Sequence, residues 1–147
     1  MKRNFGEYSP DLAMAFVKAE ETLRLKAYKC PKGVWTIGWG HTGGIKEGDT
    51  CTREQAEAWI RSDLQSAQTG LARVINVPVS AKQFIALLSL AFNMGAQGVV
   101  DKCPKMLRAL NAGDYETAAD EFLDVTNGGL AGLVARRRRE AELMRQG

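Results

Sequence analysis

The sequence predicts an α+β fold: a leading helix, a small β lobe, then helices to the C-terminal end. Three observations carry that expectation. The stretch Val34-Trp35-Thr36-Ile37-Gly38-Trp39-Gly40 is rich in β-branched and aromatic residues, as strands are. Two helix-start boxes, Thr52-Arg-Glu-Gln55 and Ser80-Ala-Lys-Gln83, stand ahead of long apolar-periodic runs. The composition, 45% hydrophobic and 25% charged over 147 residues, is that of an ordinary globular chain. A chain of this size buries a core without staples.

Ser9-Pro10-Asp11 has the order of a helix start, with a serine cap, proline at the first helical position and an acid in the first turn. A helix over about 10–21 is expected, with Leu12, Phe16 and Val17 on its apolar face and Ala13 and Ala19 packing closely. From Leu25 the pattern changes, and Pro31-Lys-Gly33 is a turn. A short, twisted β lobe over about 22–51 follows, loosened by its glycines. Behind Thr52, the residues Ala56, Ile60, Leu64, Ala67, Leu71 and Val74 recur every three or four positions. They predict a long connecting helix over about 53–75, ended by Asn76-Val-Pro78. A helical lobe over about 80–147, packed with the N-terminal helix, completes the chain. Its first helix runs through Phe84, Leu88, Ala91 and Phe92 and stops at Gly95. Further helices are expected around 105–110, 115–123 and 133–144, separated by Asn111-Ala-Gly113 and Asn127-Gly-Gly129.

Composition excludes several function classes. No apolar run approaches the roughly 18 residues of a membrane helix. The first ten residues carry two cations with no apolar stretch behind them, so they do not form a secretory signal. Residence in a cytoplasm is expected. Net charge is +3, from 20 Lys and Arg against 17 Asp and Glu, and much of the excess is the run Arg136-Arg137-Arg138-Arg139. With Glu140 and Glu142 just behind it, that run is a thin footprint for nucleic acid. Cys30, Cys51 and Cys103 show no CxxC spacing and there is one histidine, so neither a zinc site nor another cofactor is expected.

The stretch from Glu20 to Thr42 carries the chemistry. It sets an acid at a helix end, then a turn with Cys30, then Thr36, Gly38, Gly40 and His41 on the sheet. Glu21, Cys30 and Thr36 could thus converge across one cleft. Glycines at 38 and 40 remove bulk and would let a substrate approach the backbone.

This stretch resembles the phage-type lysozymes of glycoside hydrolase family 24, the family of T-even and lambdoid-phage lysozymes. The family pattern (Glu, eight residues, Asp or sometimes Cys, five residues, Thr) falls on Glu21, Cys30 and Thr36 without a gap. The flanks Leu23-Arg-Leu-Lys-Ala-Tyr28 and Thr36-Ile-Gly-Trp-Gly-His-Thr42, the segment Phe92-Asn93-Met94-Gly95 and the closing Gly132-Leu-Val-Ala-Arg-Arg137 are similar as well. The resemblance therefore covers nearly the whole chain. It implies one lysozyme-like domain over 1–147, with a cleft between a small β lobe and a larger helical lobe.

It also implies a muramidase that cuts the β-1,4 bond between N-acetylmuramic acid and N-acetylglucosamine in peptidoglycan. Glu21 would be the general acid, which needs a proton near neutrality although a free Glu has a pKa of about 4.3. Arg137, from the last helix, is the best match for the arginine the family places beside that acid. An activity optimum on the acid side of neutral follows as an expectation. Cys30 stands where most of the family has Asp, so a thiol would orient or deprotonate the attacking water. It would act as base if nearby cations depress it, or as a water-orienting group with Thr36 sharing the task. A small buried apolar residue is the plain alternative. Phe92 and Asn93, with Gly40 and Thr42, would line the sugar groove, Phe92 being equally suited to the core. His41 is expected to pair with Asp63 as a structural ion pair. Glu20 has no expected role, and Thr22 replaces a usual Gly. Trp35, Trp39 and Trp59 could each stack on a sugar, though Trp59 fits the helix core.

An endolysin of phage origin is therefore expected, acting on peptidoglycan strands as a monomer, without nucleic acid and without a stable membrane anchor. It would wait in the host bacterial cytoplasm for a holin-like permeabiliser to release it to the periplasm. The alternative is a catalytically weakened peptidoglycan-binding module, since the Asp-to-Cys change touches the triad.

Overall fold

The computed structural model describes residues 1–126 and 128–147. Its elements are α1 (Met14–Glu20), β1 (Arg24–Lys29), β2 (Trp35–Gly38), α2 (Arg53–Ala72), α3 (Ala81–Met94), α4 (Ala96–Lys102), α5 (Pro104–Asn111), α6 (Tyr115–Phe122) and α7 (Ala131–Gln146). The class is α+β, with the strands among the described residues confined to one antiparallel hairpin between α1 and α2.

The N-terminal helix is shorter than its cap predicts. Ser9 accepts from the Asp11 N–H, but Pro10–Ala13 winds as a 3-10 turn before α1 begins. The tighter turn rotates the apolar stripe. Ala13 and Val17 are buried, Phe16 is half-buried, and Leu12 and Ala19 face solvent, against expectation.

The hairpin pairs Tyr28 with Thr36 and Lys29 with Trp35, with an irregularity between Arg24 and Tyr28. A two-stranded ribbon is marginal by itself. Here the Ala27 N–H donates to the Asp49 carbonyl at 2.8 Å and the Cys51 N–H to the Leu25 carbonyl at 2.9 Å, which ties it to the following loop. Gly38, at φ +66°, is a packing residue: a Cβ there would lie 3.2 Å from the Ala56 Cβ on α2. The small side chain at 38 makes room for the long helix, not for a substrate.

Both capping boxes form. Thr52 and Gln55 open α2, and Ser80 and Gln83 open α3. The α2 helix turns Ala56, Ile60, Leu64, Ala67 and Leu71 into the core and ends at Ala72, three residues before the expected boundary. The α3 helix is buried on nearly every side from Gln83 to Ala91 and is the centre of the helical body. Among the described residues no single helix is long and apolar enough to cross a membrane. The α3 and α4 pair reaches that length together, but bends by 94° at the break, and α3 is mostly core.

The α4 helix was not expected. The sequence stops a helix at Gly95 and predicts the next around 105–110, yet Gly95 at φ +80° ends α3 and starts α4 around the corner, and Val99 anchors the new helix in the core. In the expected turn Asn127-Gly128-Gly129, both glycines have positive φ, and Asn127 lies outside the described residues.

Candidate active site

The α1 helix ends where the backbone of Glu21 turns extended, at φ −103° and ψ 133°, with its N–H still held by the Val17 carbonyl. That change of direction throws the Glu21 side chain, 20% exposed, into the gap between hairpin and helical body. Glu21, Cys30 and Thr36 line one cleft of about 340 Å³, with Gly40 and Thr42 along it and Phe92 and Asn93 opposite.

The helical wall of the cleft is built on buried charge. Arg136 Nη1 donates to Glu21 Oε1 at 3.1 Å. Arg136 Nε also donates to Glu140 Oε2 at 3.3 Å, and Arg137 Nη1 to Glu140 Oε1 at 2.7 Å. Ser89 on α3 donates its hydroxyl to Glu140 Oε2 at 2.5 Å. Charges taken out of water must be paired in this way to be tolerated. The arginine beside Glu21 is therefore Arg136, not Arg137 as the sequence led us to expect. Successive helix residues point about 100° apart, so Arg137 reaches elsewhere: it donates to the Val125 carbonyl at 2.8 Å and to Asn93 Oδ1. Arg137 still lines the cleft. The other two members of the run separate. Arg138 is exposed, and Arg139 makes a two-pronged pair with Glu20 at 2.5 and 2.7 Å, which gives Glu20 the structural task it lacked in the sequence.

The hairpin wall is more open. Cys30 sits at the turn, its N–H donating to the Val34 carbonyl at 2.9 Å and its carbonyl accepting from Gly33 at 2.8 Å. Burial pushes its thiol up, but the backbone donors near Val34 and Lys32, the Thr36 hydroxyl and the Lys32 charge together outweigh that. The net effect holds the Cys30 thiol below the ordinary thiol range. Thr36 is 3% exposed, and its hydroxyl donates to the Val34 carbonyl at 3.0 Å. Tyr28, across the ladder from Thr36, lines the cleft too. Burial and then the Glu21 charge push its phenol up, so it stays neutral. The sequence offered Tyr28 only as part of a flank; its period-2 relation to Cys30 was the available signal.

Gly40 has a specific reason to be glycine. At φ +79° its Cβ would stand 3.3 Å from the Glu21 carboxyl carbon. The missing side chain thus makes room for the acid.

His41 Nδ1 lies 2.8 Å from Asp63 Oδ2, and the ring stacks on Trp59 at 4.6 Å. The two side chains are in contact, and they border an adjoining cavity of about 390 Å³ that shares Gly40, Thr42 and Phe92 with the cleft. Phe92 serves both of its readings, half-buried against the core and on the cleft wall. None of Trp35, Trp39 and Trp59 lines the cleft; Trp39 is buried beneath Lys18 and Arg53. Cys30, Cys51 and Cys103 are free thiols. Among the described residues no group of three or more His, Cys, Asp or Glu side chains is placed to hold a metal.

A carboxyl group at a helix end, facing a depressed thiol and a hydroxyl across a groove between a hairpin and a helical body, is the equipment of a lysozyme-like glycoside hydrolase. Comparison with known proteins gives the family. Residues 18–140 match the model described as phage lysozyme, and the chain belongs to that family. It is 40% identical to an endolysin of Acyrthosiphon pisum secondary endosymbiont phage 1, over 88% of this chain and 92% of that one. It is 38% identical to the endolysin of Salmonella phage P22, over 86% and 90%. Among solved structures it is similar to the muramidase domain of SpmX from Asticaccaulis excentricus, with a TM-score of 0.79, 34% identity and coverage of 90% and 93%.

Proposed function

We propose that this chain is an endolysin muramidase in which Glu21, Cys30 and Thr36 hydrolyse the β-1,4 bond between N-acetylmuramic acid and N-acetylglucosamine. The observation that carries the assignment is their meeting on one cleft, with Arg136 fixing the acid from behind. Glu21 gives its proton to the glycosidic oxygen as the bond to the anomeric carbon breaks. Water attacks that carbon from the hairpin side and loses a proton to the Cys30 thiolate. Proton exchange with solvent then restores a carboxylic acid and a thiolate. Thr36 supports the water and the thiolate in turn, since its single hydroxyl proton can serve only one acceptor at a time. Attack opposite the leaving group gives inversion. Asn93 accepts from Arg137 through Oδ1, so its NH2 is the group available to an acceptor such as the N-acetyl carbonyl.

The pattern at Glu21, Cys30 and Thr36 supports membership of glycoside hydrolase family 24 and kinship with the T-even and lambdoid lysozymes. The chain works as a monomer of one lysozyme-like domain over 1–147. It waits in the host cytoplasm and depends on a holin-like permeabiliser to reach peptidoglycan.

Digestion of purified peptidoglycan tests the assignment. The wild type is expected to release reducing N-acetylmuramic acid ends and Glu21→Gln none. Anhydro-muramic ends would mean transglycosylation. Binding to peptidoglycan without new ends would favour the weakened binding module, a reading that rests on the thiol at position 30.

A further inference from the structure

Among the described residues, the most deeply buried charge belongs to a residue that does not line the cleft around Glu21. Glu140 is 0% exposed, and its two oxygens are divided between two adjacent arginines. Oε1 accepts from Arg137 at 2.7 Å; Oε2 accepts from Arg136 at 3.3 Å and from Ser89 at 2.5 Å. Positions 136 and 137 stand four and three residues before Glu140, so both reach it along one helix. Each arginine keeps one terminal nitrogen for the cleft, while Arg136 Nη2 donates to the Ser89 carbonyl and Arg137 Nε to the Val125 carbonyl. Arg136 turns Nη1 to Glu21 and Arg137 turns Nη2 to Asn93.

We propose that Glu140 is a positioning residue that sets the proton donor Glu21 and the amide of Asn93 together, through Arg136 and Arg137. The inference rests on Glu21 being the acid. Its consequence is electrostatic as well as geometric. When Glu21 carries its proton, Arg136, Arg137 and Glu140 leave one uncompensated positive charge behind the cleft. Without Glu140 there are two, both favouring the carboxylate form of Glu21 and opposing the form that donates. The other charged and titratable groups facing this cluster do not replace it. Tyr28, from the hairpin, and Cys103, between α4 and α5, are neutral, both pushed up first of all by burial. Arg139 is engaged by Glu20, while Lys32 and Lys102 on the cleft are cations like the arginines.

Glu140→Gln keeps the shape and removes the charge. It is expected to lower kcat/KM roughly ten- to a hundredfold, as loss of alignment does, to raise KM through Asn93, and to move the alkaline limb of the pH profile toward acid. Arg138→Gln, on the exposed side of the same helix, is expected to match the wild type in both. A folded Glu140→Gln with wild-type kcat/KM overturns the proposal, and so does lost activity with an unmoved alkaline limb, the mark of a merely structural role. If Glu140→Gln does not fold, Glu140→Asp takes its place: drawing the carboxylate back should shift the limb the same way by less, and an unmoved limb overturns the proposal. Glu21→Gln run alongside separates the two levels. If it stays active, the acid assignment falls; if it is dead while Glu140→Gln matches the wild type, only the role of Glu140 falls.

Discussion

The two walls of the cleft are built on opposite terms. Behind Glu21, Arg136, Arg137 and Glu140 are 4%, 1% and 0% exposed, and their hydrogen bonds join α7 to α3 at the centre of the core. Opposite, Cys30 sits in the turn just past the six-residue strand β1 and Thr36 on the four-residue strand β2, with Val34 and Lys32 of that turn in solvent. Glu21, the proposed proton donor, is thus held by a buried network. The proposed water side has only to present a base at one place, on a hairpin held by a few backbone bonds. On the proposed mechanism a thiol serves at position 30 because local donors on the hairpin hold it below the ordinary thiol range.

The largest effect expected on the hairpin wall is that of Cys30→Ala, a loss of roughly a hundredfold in kcat, the scale of a missing general base. Cys30→Asp should stay within several-fold of the wild type. It should also extend activity to lower pH, since a carboxylate loses its proton near pH 4 and a thiol near 8.5. Steady-state rates on peptidoglycan across pH decide it; a fully active alanine variant would leave the hairpin wall without chemistry. Gly40→Ala comes next. It forces a Cβ against the Glu21 carboxyl in left-handed backbone and should cost roughly tenfold or more in kcat by displacing the acid. Unchanged kcat would mean that Glu21 need not be held where it stands.

Thiol alkylation sharpens the same contrast without substitution. Cys30 lies below the ordinary thiol range, whereas burial pushes Cys51 and Cys103 up. Near neutral pH, iodoacetamide should label Cys30 first, and activity should fall in step with that label by mass spectrometry. Labelling of Cys51 ahead of Cys30 would contradict the assignment. The smallest effect should come from Asp63→Asn, which removes a half-exposed partner from His41 and should cost about 1 kcal/mol or less of stability with kcat unchanged.

Much of this was legible because it is written locally. Capping boxes at Thr52 and Ser80 and the apolar spacing of α2 are properties of consecutive residues, and Glu21, Cys30 and Thr36 share one hairpin and the helix end before it. The misses have other causes. The 3-10 turn at Pro10 rotates a stripe that the period alone places wrongly, and α4 depends on Val99 finding the core across Gly95. Arg136 and Arg137 are indistinguishable by type. Choosing between them needs the phase of α7 relative to Glu21, which lies 115 residues away in sequence. Glu140 stands four and three residues after them, but from sequence it weighs only against a nucleic-acid role for the run.

A crystal structure of the Glu21→Gln variant with a bound N-acetylmuramic acid–N-acetylglucosamine oligomer tests the central claim most directly. The account predicts the glycosidic oxygen within hydrogen-bond reach of residue 21, about 3 Å, with Cys30 and Thr36 on the opposite face of the sugar around an ordered water. A glycan seated elsewhere, or one whose scissile oxygen lies on the Cys30 side, would contradict it.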